Sequence, residues 1–429
     1  MEMVLISSIF LVLMVLGVPI GISLGVAAVV TIHYFDLGIE MLGVNFTAGI
    51  ASFPLLAIPF FVLAGVILQR AGLAATIARF FELLVGKSTG GLAMVAVLTC
   101  IFWGSLSGSG PATTAAVGLI LLAPMIKHGY SKSFAGATIA NAADLSIIIP
   151  PSIAFIIYGN ITNVSVSALF VAGIIPGLLT GLGTVLVAYL ISRRRGYRGT
   201  ESRGSAAELW TAFRKSFWAL LAPVVILGGI YSGIFTPTEA AVVAVFYSLA
   251  VAIFIYRSID WRDMIEMLVD AAVTSSVIMF IVTFAGIFTW TASVIGVIDQ
   301  AAAWIVAISP NAVVMIILVN VLLLGLGMIL DAISISYLLM PILIPVLKTF
   351  GIDPVWYGVI FITALAIGQA TPPVGVNLFT AANLIKGNVD DVAKEAIPFV
   401  IMDIVVLLVL TLLPILSLYL PIKAGLYTP

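Results

Sequence analysis

Residues 104–111, with the sequence GSLSGSGP, interrupt a long apolar stretch and decide which fold this part of the chain can adopt. Three glycines and three serines disfavour a continuous helix, whereas the proline suits the first turn of a new helix. A Gly/Ser seam for helix packing is the alternative interpretation. We predict a helical hairpin over about 88–127 that enters and leaves a membrane on one side.

The composition of the whole chain indicates a membrane protein built from helices. Of its 429 residues, 62% are hydrophobic and 9% are charged, and the mean hydropathy is +1.27. Soluble proteins contain about 25% charged residues, so a water-soluble globule is excluded. Apolar runs such as 315–330 and 401–413 do not alternate with polar residues, which argues against a transmembrane β-barrel. We predict an all-α polytopic membrane protein.

Charge and residue usage exclude several functions. The formal net charge of −1 removes nucleic acid as an expected partner. One cysteine and two histidines argue against a disulfide framework and against a Cys/His metal cluster. An intramembrane enzyme would need paired acids or a histidine-rich centre, and Asp144 and Asp331 are too isolated for that. We expect no enzymatic activity and no resident cofactor.

The basic residues predict the orientation in the membrane. Seven of the 18 lysines and arginines lie within residues 193–215. Because basic residues resist translocation, we expect this segment to be a cytoplasmic loop. Residues 4–32 carry no lysine or arginine, so the sequence leaves open whether they form one helix or two helices broken at Gly17-Val18-Pro19.

The two halves of the chain share landmarks at a spacing of about 221 residues. The matched pairs include Gly104 with Gly325, Lys127 with Lys348, and Pro150-Pro151 with Pro372-Pro373. The charge pattern puts the base of one hairpin inside and that of the other outside, so we predict two repeats of inverted topology. Inverted repeats with interrupted helices are typical of secondary transporters.

This repeat predicts the domain organisation. The segments are scaffold helices over 1–43, a first repeat over 44–192, a basic loop over 193–215, scaffold helices over 216–263 and a second repeat over 264–421. The first repeat contains the hairpin over about 88–127 and a broken helix over about 133–163. The second contains a hairpin over about 311–348 and a broken helix over about 354–385.

The interrupted helices carry the candidate chemistry. Helix N-termini favour anions, so the hairpin turn is suited to a carboxylate. A double proline breaks a helix, and the carbonyl oxygens it frees find no donor in hydrocarbon, which favours a bound cation. A simple kink satisfied by neighbouring helices is the alternative. Asp331 lies in an apolar run, where a carboxylate usually has a function, although it is also placed to cap a helix.

At residues 105–114, 149–152, 236–241 and 370–378 the chain resembles the large membrane subunit of tripartite ATP-independent periplasmic (TRAP) transporters. The resemblance implies a scaffold and a transport domain that move as an elevator, with Na⁺ as the coupling ion. It also implies a small four-helix membrane subunit, a periplasmic substrate-binding protein, and an organic-acid substrate such as a C4-dicarboxylate or sialic acid. The expected location is a bacterial or archaeal cytoplasmic membrane.

The motifs and the resemblance together name candidate site residues. The expected substrate-binding residues are Ser105, Ser107, Ser109, Gly110, Thr113, Thr371 and Asn377. The expected Na⁺-binding residues are Ser105, Gly108, Asn141, Asp144, Pro150, Gly325, Asp331, Gly368, Thr371, Pro372 and Gly375. A standalone organic-anion symporter driven by Na⁺ or H⁺, without a binding protein, is the alternative function. The sequence does not identify the acid or the Na⁺ stoichiometry.

Overall fold

The computed structural model describes residues 2–200 and 204–428, and all regular secondary structure in these residues is helical. Nine helical segments in this part of the chain are long and apolar enough to cross a membrane. The predicted class, an all-α polytopic membrane protein, is confirmed. The nine include the second arms of both hairpins, each 18 residues long. Length alone therefore does not distinguish a re-entrant arm from a crossing helix.

The chain begins with five short helices. They are α1 (Glu2–Val15), α2 (Ile20–Tyr34), α3 (Met41–Ile50), α4 (Ala57–Arg70) and α5 (Leu73–Val85). Residues 4–32 therefore form two helices, because Gly17 adopts a φ of +78° and Pro19 precedes the first turn of α2. The predicted domain boundary at residues 43 and 44 lies inside α3, a short helix that the sequence pattern did not reveal.

The first hairpin and the first broken helix follow. The hairpin arms are α6 (Gly91–Ser107) and α7 (Gly110–Lys127). The broken helix comprises α8 (Lys132–Ala142), α9 (Leu145–Ile148) and α10 (Ile153–Thr162), followed by α11 (Val166–Ala172) and α12 (Ile174–Arg195). Two helices joined by a turn within 88–127 and an interruption within 133–163 are both present, whereas entry and exit of this hairpin on one side of a membrane stays a prediction.

The basic segment predicted as a loop over 193–215 is shorter than expected. Helix α12 continues to Arg195, and α13 (Ala206–Tyr231) begins directly after the N-cap Ser205. Ser205 and Glu208 form a capping box, a local signal that starts the helix ten residues before the predicted end of the loop. Residues 201–203, which include the basic Arg203, lie outside the described residues.

Two further helices complete the middle of the chain. They are α14 (Pro237–Ala250), which continues as a π-helical turn, and α15 (Trp261–Val294). Thr236 and Glu239 form a capping box at the start of α14, so Glu239 has a structural role. The predicted boundary at residues 263 and 264 lies in the first turn of α15, whose N-cap is Asp260.

The second half repeats the order of a hairpin and a broken helix. Its elements are α16 (Val297–Ile308), the hairpin arms α17 (Ala312–Gly327) and α18 (Ala332–Thr349), the broken pair α19 (Pro354–Gln369) and α20 (Val376–Ile385), and then α21 (Val389–Leu412) and α22 (Ile415–Lys423). The inverted orientation of the repeats and the division into domains remain predictions.

The broken helices form the centre of the molecule. All side chains from Phe134 to Ile148 and from Tyr357 to Thr371 are buried. Helix α8 packs against α20 and α21, and α17 packs against α19, so elements from both halves share one core. Beside this core, helix α4 packs against both α14 and α15. Helix α15 also packs against α2 and α3.

Candidate functional site

The tip of the first hairpin is built from the glycines and serines that interrupt the helix. Gly108 ends α6 with a φ of +62°, and its N–H donates to the carbonyl of Gly104 at 2.8 Å. The Oγ of Ser107 accepts from the N–H of Ser109 at 3.3 Å and from the hydroxyl of Thr113 at 3.2 Å. The tip is therefore held by its own side chains, while α7 begins at Gly110.

The tip of the second hairpin lies later in the chain than the sequence indicated. Helix α17 runs through Gly325 to Gly327, and Asp331 is the N-cap of α18. A Cβ on Gly325 would meet nothing within 4 Å, whereas one on Gly327 would lie 3.0 Å from the Cα of Gly368. The sequence predicts the turn of this hairpin at Gly325-Leu326-Gly327, which is wrong, because these residues are the last turn of α17 and the chain turns after them.

Asp331 caps the second arm of this hairpin. Its Oδ1 accepts from the N–H groups of Ile333 at 2.9 Å and Ser334 at 3.0 Å. Its Oδ2 accepts from the hydroxyl of Ser334 at 2.6 Å. The capping interpretation left open by the sequence is therefore observed, and the same side chain also lines the central cavity described below.

The first broken helix contacts the first hairpin through small residues. A Cβ on Gly104 would lie 2.7 Å from the Cα of Ser146, so α6 packs closely against α9. The peptide bond Pro150–Pro151 is cis, and the hydroxyl of Ser152 donates to the carbonyl of Ile147 at 2.6 Å across the break. One of the carbonyls freed at this break therefore has a partner within the chain.

The second broken helix contacts the second hairpin through Gly368 against Gly327 and through one backbone hydrogen bond. A Cβ on Gly368 would lie 2.7 Å from the Cα of Gly327. The N–H of Gly375, which has a φ of +63°, donates to the carbonyl of Met328 at 3.0 Å. The peptide bond Pro372–Pro373 is cis, as in the first break.

Backbone carbonyls converge near this second break. A Cβ on Gly375 would lie 2.9 Å from the carbonyl oxygen of Gln369 and 3.1 Å from that of Thr371. The hydroxyl of Thr371 donates to the carbonyl of Ile367 at 2.6 Å. Glycine at position 375 leaves both oxygens accessible, and carbonyl oxygens are ligands that hard cations prefer.

The two halves meet in a buried polar contact. The amide Nδ2 of Asn377 donates to Oδ1 of Asp144 at 2.7 Å. A Cβ on Gly110 would lie 2.7 Å from Oε1 of Gln369 and 2.8 Å from Nδ2 of Asn377. The start of α7 in the first hairpin therefore lies directly against polar side chains of the second broken helix.

A cavity of about 640 Å³ lies between the hairpins, the breaks and helices α4 and α15. This volume falls within the roughly 300–1,000 Å³ typical of sites for small molecules. Five of the predicted site residues line it, namely Ser107, Gly108, Ser109, Gly110 and Asp331. Ser105 and Thr113 are buried behind the tip, and the hydroxyl of Ser105 donates to the carbonyl of Phe102 at 2.8 Å.

Sequence reasoning missed several residues that line this cavity. They are Gln369, Gln69, Trp103 and Thr274. A signal existed for Gln369, because it is a polar side chain at the end of an apolar helix, three residues before a double proline, and polar side chains inside a membrane often have a function. The lining residues of α4 and α15 had no such signal, since their position depends on how distant helices pack.

The start of α7 gives one part of the cavity wall a positive potential. Among the described residues that line it, Asp331 is the only charged side chain. Helix α7 begins at its wall with a partial positive charge and no side-chain cap, whereas the N–H groups of Ile333 and Ser334 at the start of α18 donate to Asp331. The nearby Arg70 is paired with Glu266 at 3.0 Å and Asp270 at 3.2 Å, beyond Gln69 on the same helix. The arrangement can hold an anionic group at the start of α7 and a cation at carbonyl oxygens.

The chain is similar to one family of transport proteins over most of its length. Residues 8–416 match the family model described as tripartite ATP-independent periplasmic transporter, DctM component. The chain is 37% identical over 400 residues to the C4-dicarboxylate TRAP transporter large permease protein DctM of Pseudomonas aeruginosa, with 93% of each chain covered. It is also 37% identical over 415 residues to the isethionate TRAP transporter permease protein DctMQ of Oleidesulfovibrio alaskensis, spanning 96% of this chain but 65% of that protein.

A solved structure shares the fold. The YdaH transporter of Alcanivorax borkumensis, described as having an unusual topology, superimposes with a TM-score of 0.66. The match covers 91% of this chain and 90% of that chain at 16% sequence identity. At this identity the similarity concerns the fold alone.

Proposed function

The chain belongs to the DctM component family of tripartite ATP-independent periplasmic transporters, and from this premise we propose that it is the large permease subunit of a Na⁺-coupled importer of an organic acid. The observation that carries the proposal is the meeting of two hairpin tips and two broken helices around one cavity. Interrupted helices are costly in a membrane, and they are typical of ion and substrate sites in transporters.

The cavity suits an acidic substrate. Helix α7 begins at its wall without a side-chain cap, and the hydroxyl groups of Ser107 and Ser109 belong to the same tip. Backbone N–H groups at helix starts bind carboxylate and related oxyanions without a basic side chain. Two relatives are named for C4-dicarboxylate and isethionate, which supports an organic acid as the substrate class.

Na⁺ coupling is supported by the oxygen-rich breaks. The carbonyl oxygens of Gln369 and Thr371 converge beside Gly375, and the first break has a similar double proline. Each Na⁺ that enters gains about 2.3 kcal/mol per 100 mV of membrane potential. Import of more Na⁺ charge than substrate charge can therefore drive accumulation. The predicted Na⁺ ligands at these breaks are part of the proposal.

We further propose that the hairpins and broken helices move together as an elevator along helices α4 and α15. The cavity lies between these two groups, as an elevator requires. The cavity is lined by the second half of α4, which ends at Arg70. The basic residues predict that this end of α4 lies on the cytoplasmic side of the membrane. The structure is therefore interpreted as inward-facing, in a bacterial or archaeal cytoplasmic membrane with residues 193–215 inside.

The proposed partners are a small four-helix membrane subunit and a periplasmic substrate-binding protein. We would reconstitute the chain with the small subunit and the binding protein of the same gene cluster in proteoliposomes. Uptake of labelled succinate, sialic acid and isethionate would be measured with an inward Na⁺ gradient. We expect uptake of one of these acids that disappears when choline replaces Na⁺ or when the binding protein is omitted.

Variants of the tip test the site within the same assay. Ser107→Ala combined with Ser109→Ala should insert normally and lower uptake, because the hydroxyl groups at the cavity wall are lost.

Full uptake by the wild type without the binding protein would support a standalone symporter instead. Uptake that is equal in Na⁺ and choline would reject Na⁺ coupling.

A further inference from the structure

The contact between the two repeats contains a group of buried oxygen atoms without hydrogen-bond partners in the described part of the chain. They are Oδ1 of Asn141, Oδ2 of Asp144, Oε1 of Gln369 and Oδ1 of Asn377. The four residues are between 0% and 5% exposed. Buried polar atoms are hydrogen-bonded in the large majority of cases, so four in one region point to a binding site.

These oxygens belong to one continuous cluster. Asn377 donates to Asp144 at 2.7 Å and to the carbonyl of Ala140 at 3.4 Å, so its amide lies beside the end of α8 that carries Asn141. A Cβ on Gly110 would lie 2.7 Å from Oε1 of Gln369 and 2.9 Å from Oδ1 of Asn377, so both oxygens face the same point at the start of α7.

The orientations of the two asparagine amides are fixed by their donors. The Nδ2 of Asn377 donates to a carboxylate, and that of Asn141 donates to the carbonyl of Ala137 at 2.7 Å. Neither amide can rotate without placing an oxygen against another acceptor. The atoms of the cluster without partners are therefore hydrogen-bond acceptors. A hard monovalent cation can bind several acceptor oxygens at once, whereas a proton satisfies one or two of them.

The charge balance also favours a cation. Asp144 is 1% exposed, and no lysine, arginine or histidine occurs in residues 135–148 or 376–385. The other buried carboxylate nearby is Asp403 on α21, which packs against α8 and has an oxygen without a partner in the described chain. A buried charge without a partner is strongly unfavourable, so a cation bound here would stabilise the ionised form of Asp144.

We propose that Asn141, Asp144, Gln369 and Asn377 form a Na⁺ site shared by the two repeats, separate from the backbone-carbonyl sites at the two breaks. The identity of the ion rests on the proposed Na⁺ coupling. The site assigns Asn377 to the cation rather than to the substrate and adds Gln369 as a ligand. Because Gly110 lies against it, Na⁺ bound here stabilises the position of the first hairpin tip.

The test is Na⁺ binding to the purified permease in detergent, without substrate or partner proteins. Thermal unfolding is followed while NaCl replaces choline chloride at constant ionic strength. Asp144→Asn and Asn141→Ala should raise the half-saturating Na⁺ concentration about tenfold or more, the size typical for loss of a partner in a metal site. Asn320→Ala is the matched control, because Asn320 is a buried amide on α17 with an unpartnered oxygen outside this cluster.

The control should lower the unfolding temperature without changing the Na⁺ midpoint. Unchanged midpoints in both cluster variants would overturn the proposal. It would also be overturned if acidification stabilised the wild type while Na⁺ did not, since Asp144 would then take a proton. If Asp144→Asn fails to fold, Asn141→Ala and Gln369→Ala decide the outcome.

The site and the proposed function can fail separately. Loss of Na⁺ stabilisation in Asp144→Asn, together with uptake that is equal in Na⁺ and choline, would keep the site and reject Na⁺ coupling. Na⁺-driven uptake with an unchanged midpoint in both Asp144→Asn and Asn141→Ala would keep the coupling and reject the site.

Discussion

Substitution of Gly368 by alanine tests how the second hairpin is seated on the second broken helix. A Cβ at this position would lie 2.7 Å from the Cα and 2.9 Å from the carbonyl carbon of Gly327. Both atoms are backbone, so no side chain can rotate away to make room. Helix α17 must therefore move relative to α19.

The size of the effect follows from these distances. Carbon atoms without a bond between them approach to about 3.5–4.0 Å, so α17 has to move by about 1 Å. A shift of this size would break the hydrogen bond of 3.0 Å between Gly375 and Met328. Overpacking costs about 1–3 kcal/mol and the lost hydrogen bond about 1 kcal/mol, against a gain of about 0.5–1 kcal/mol from replacing glycine in a helix. We expect a net loss of about 1–3 kcal/mol from these terms.

Gly325→Ala is the matched control, since Gly325 lies on α17 and its Cβ would meet nothing within 4 Å. Both variants are compared with the wild type by thermal unfolding in detergent, with and without NaCl. Gly368→Ala should unfold at a lower temperature and respond less to Na⁺, while Gly325→Ala should match or slightly exceed the wild type. Equal damage in both variants, or none in Gly368→Ala, would refute the seating described here.

Three further substitutions test separate features. Asp331→Asn retains an N-cap residue but removes the charge at the cavity, so we expect similar stability and a weaker Na⁺ response, whereas Asp331→Ala should lose about 1 kcal/mol more in thermal unfolding. Gly110→Ala places a Cβ 2.7 Å from Oε1 of Gln369, so uptake should fall while the amount of protein in the membrane stays normal. Arg70→Ala should cost less than about 1 kcal/mol, because its carboxylate partners are more than half exposed, and a larger loss measured at low and high salt would contradict this.

The architecture was predictable where local chemistry determines it. Glycine, serine and proline at residues 104–111 stop a helix and start another regardless of what surrounds them. The double prolines at 150–151 and 372–373 act in the same way. The observed helices therefore begin and end within a few residues of the predicted hairpins and breaks. The capping box at Ser205 is a signal of the same kind, and it shortens the predicted basic loop.

The candidate site was less predictable, because the packing between helices that are distant in the sequence determines which residues line it. Gly325 and Gly327 look equivalent in the sequence, and only the contact with Gly368 shows which of them is required to be small. Ser105 belongs to the correct motif, yet it is buried behind the tip rather than at the cavity. The sequence identifies which residue types can form such a site, whereas the packing determines which individual glycines and serines face it.

The packing also explains how a substrate and an ion can influence each other. The first hairpin tip contacts the second broken helix through Gly110, Gln369 and Asn377, and the second tip contacts the same break through Gly375 and Met328. A substrate at the tips and a cation at the break therefore share the same walls. If binding of one displaces those walls by a fraction of an ångström, the affinity for the other changes, and the effect is equal in both directions. Coupling of this kind needs no distant pathway, because the two candidate sites are in direct contact.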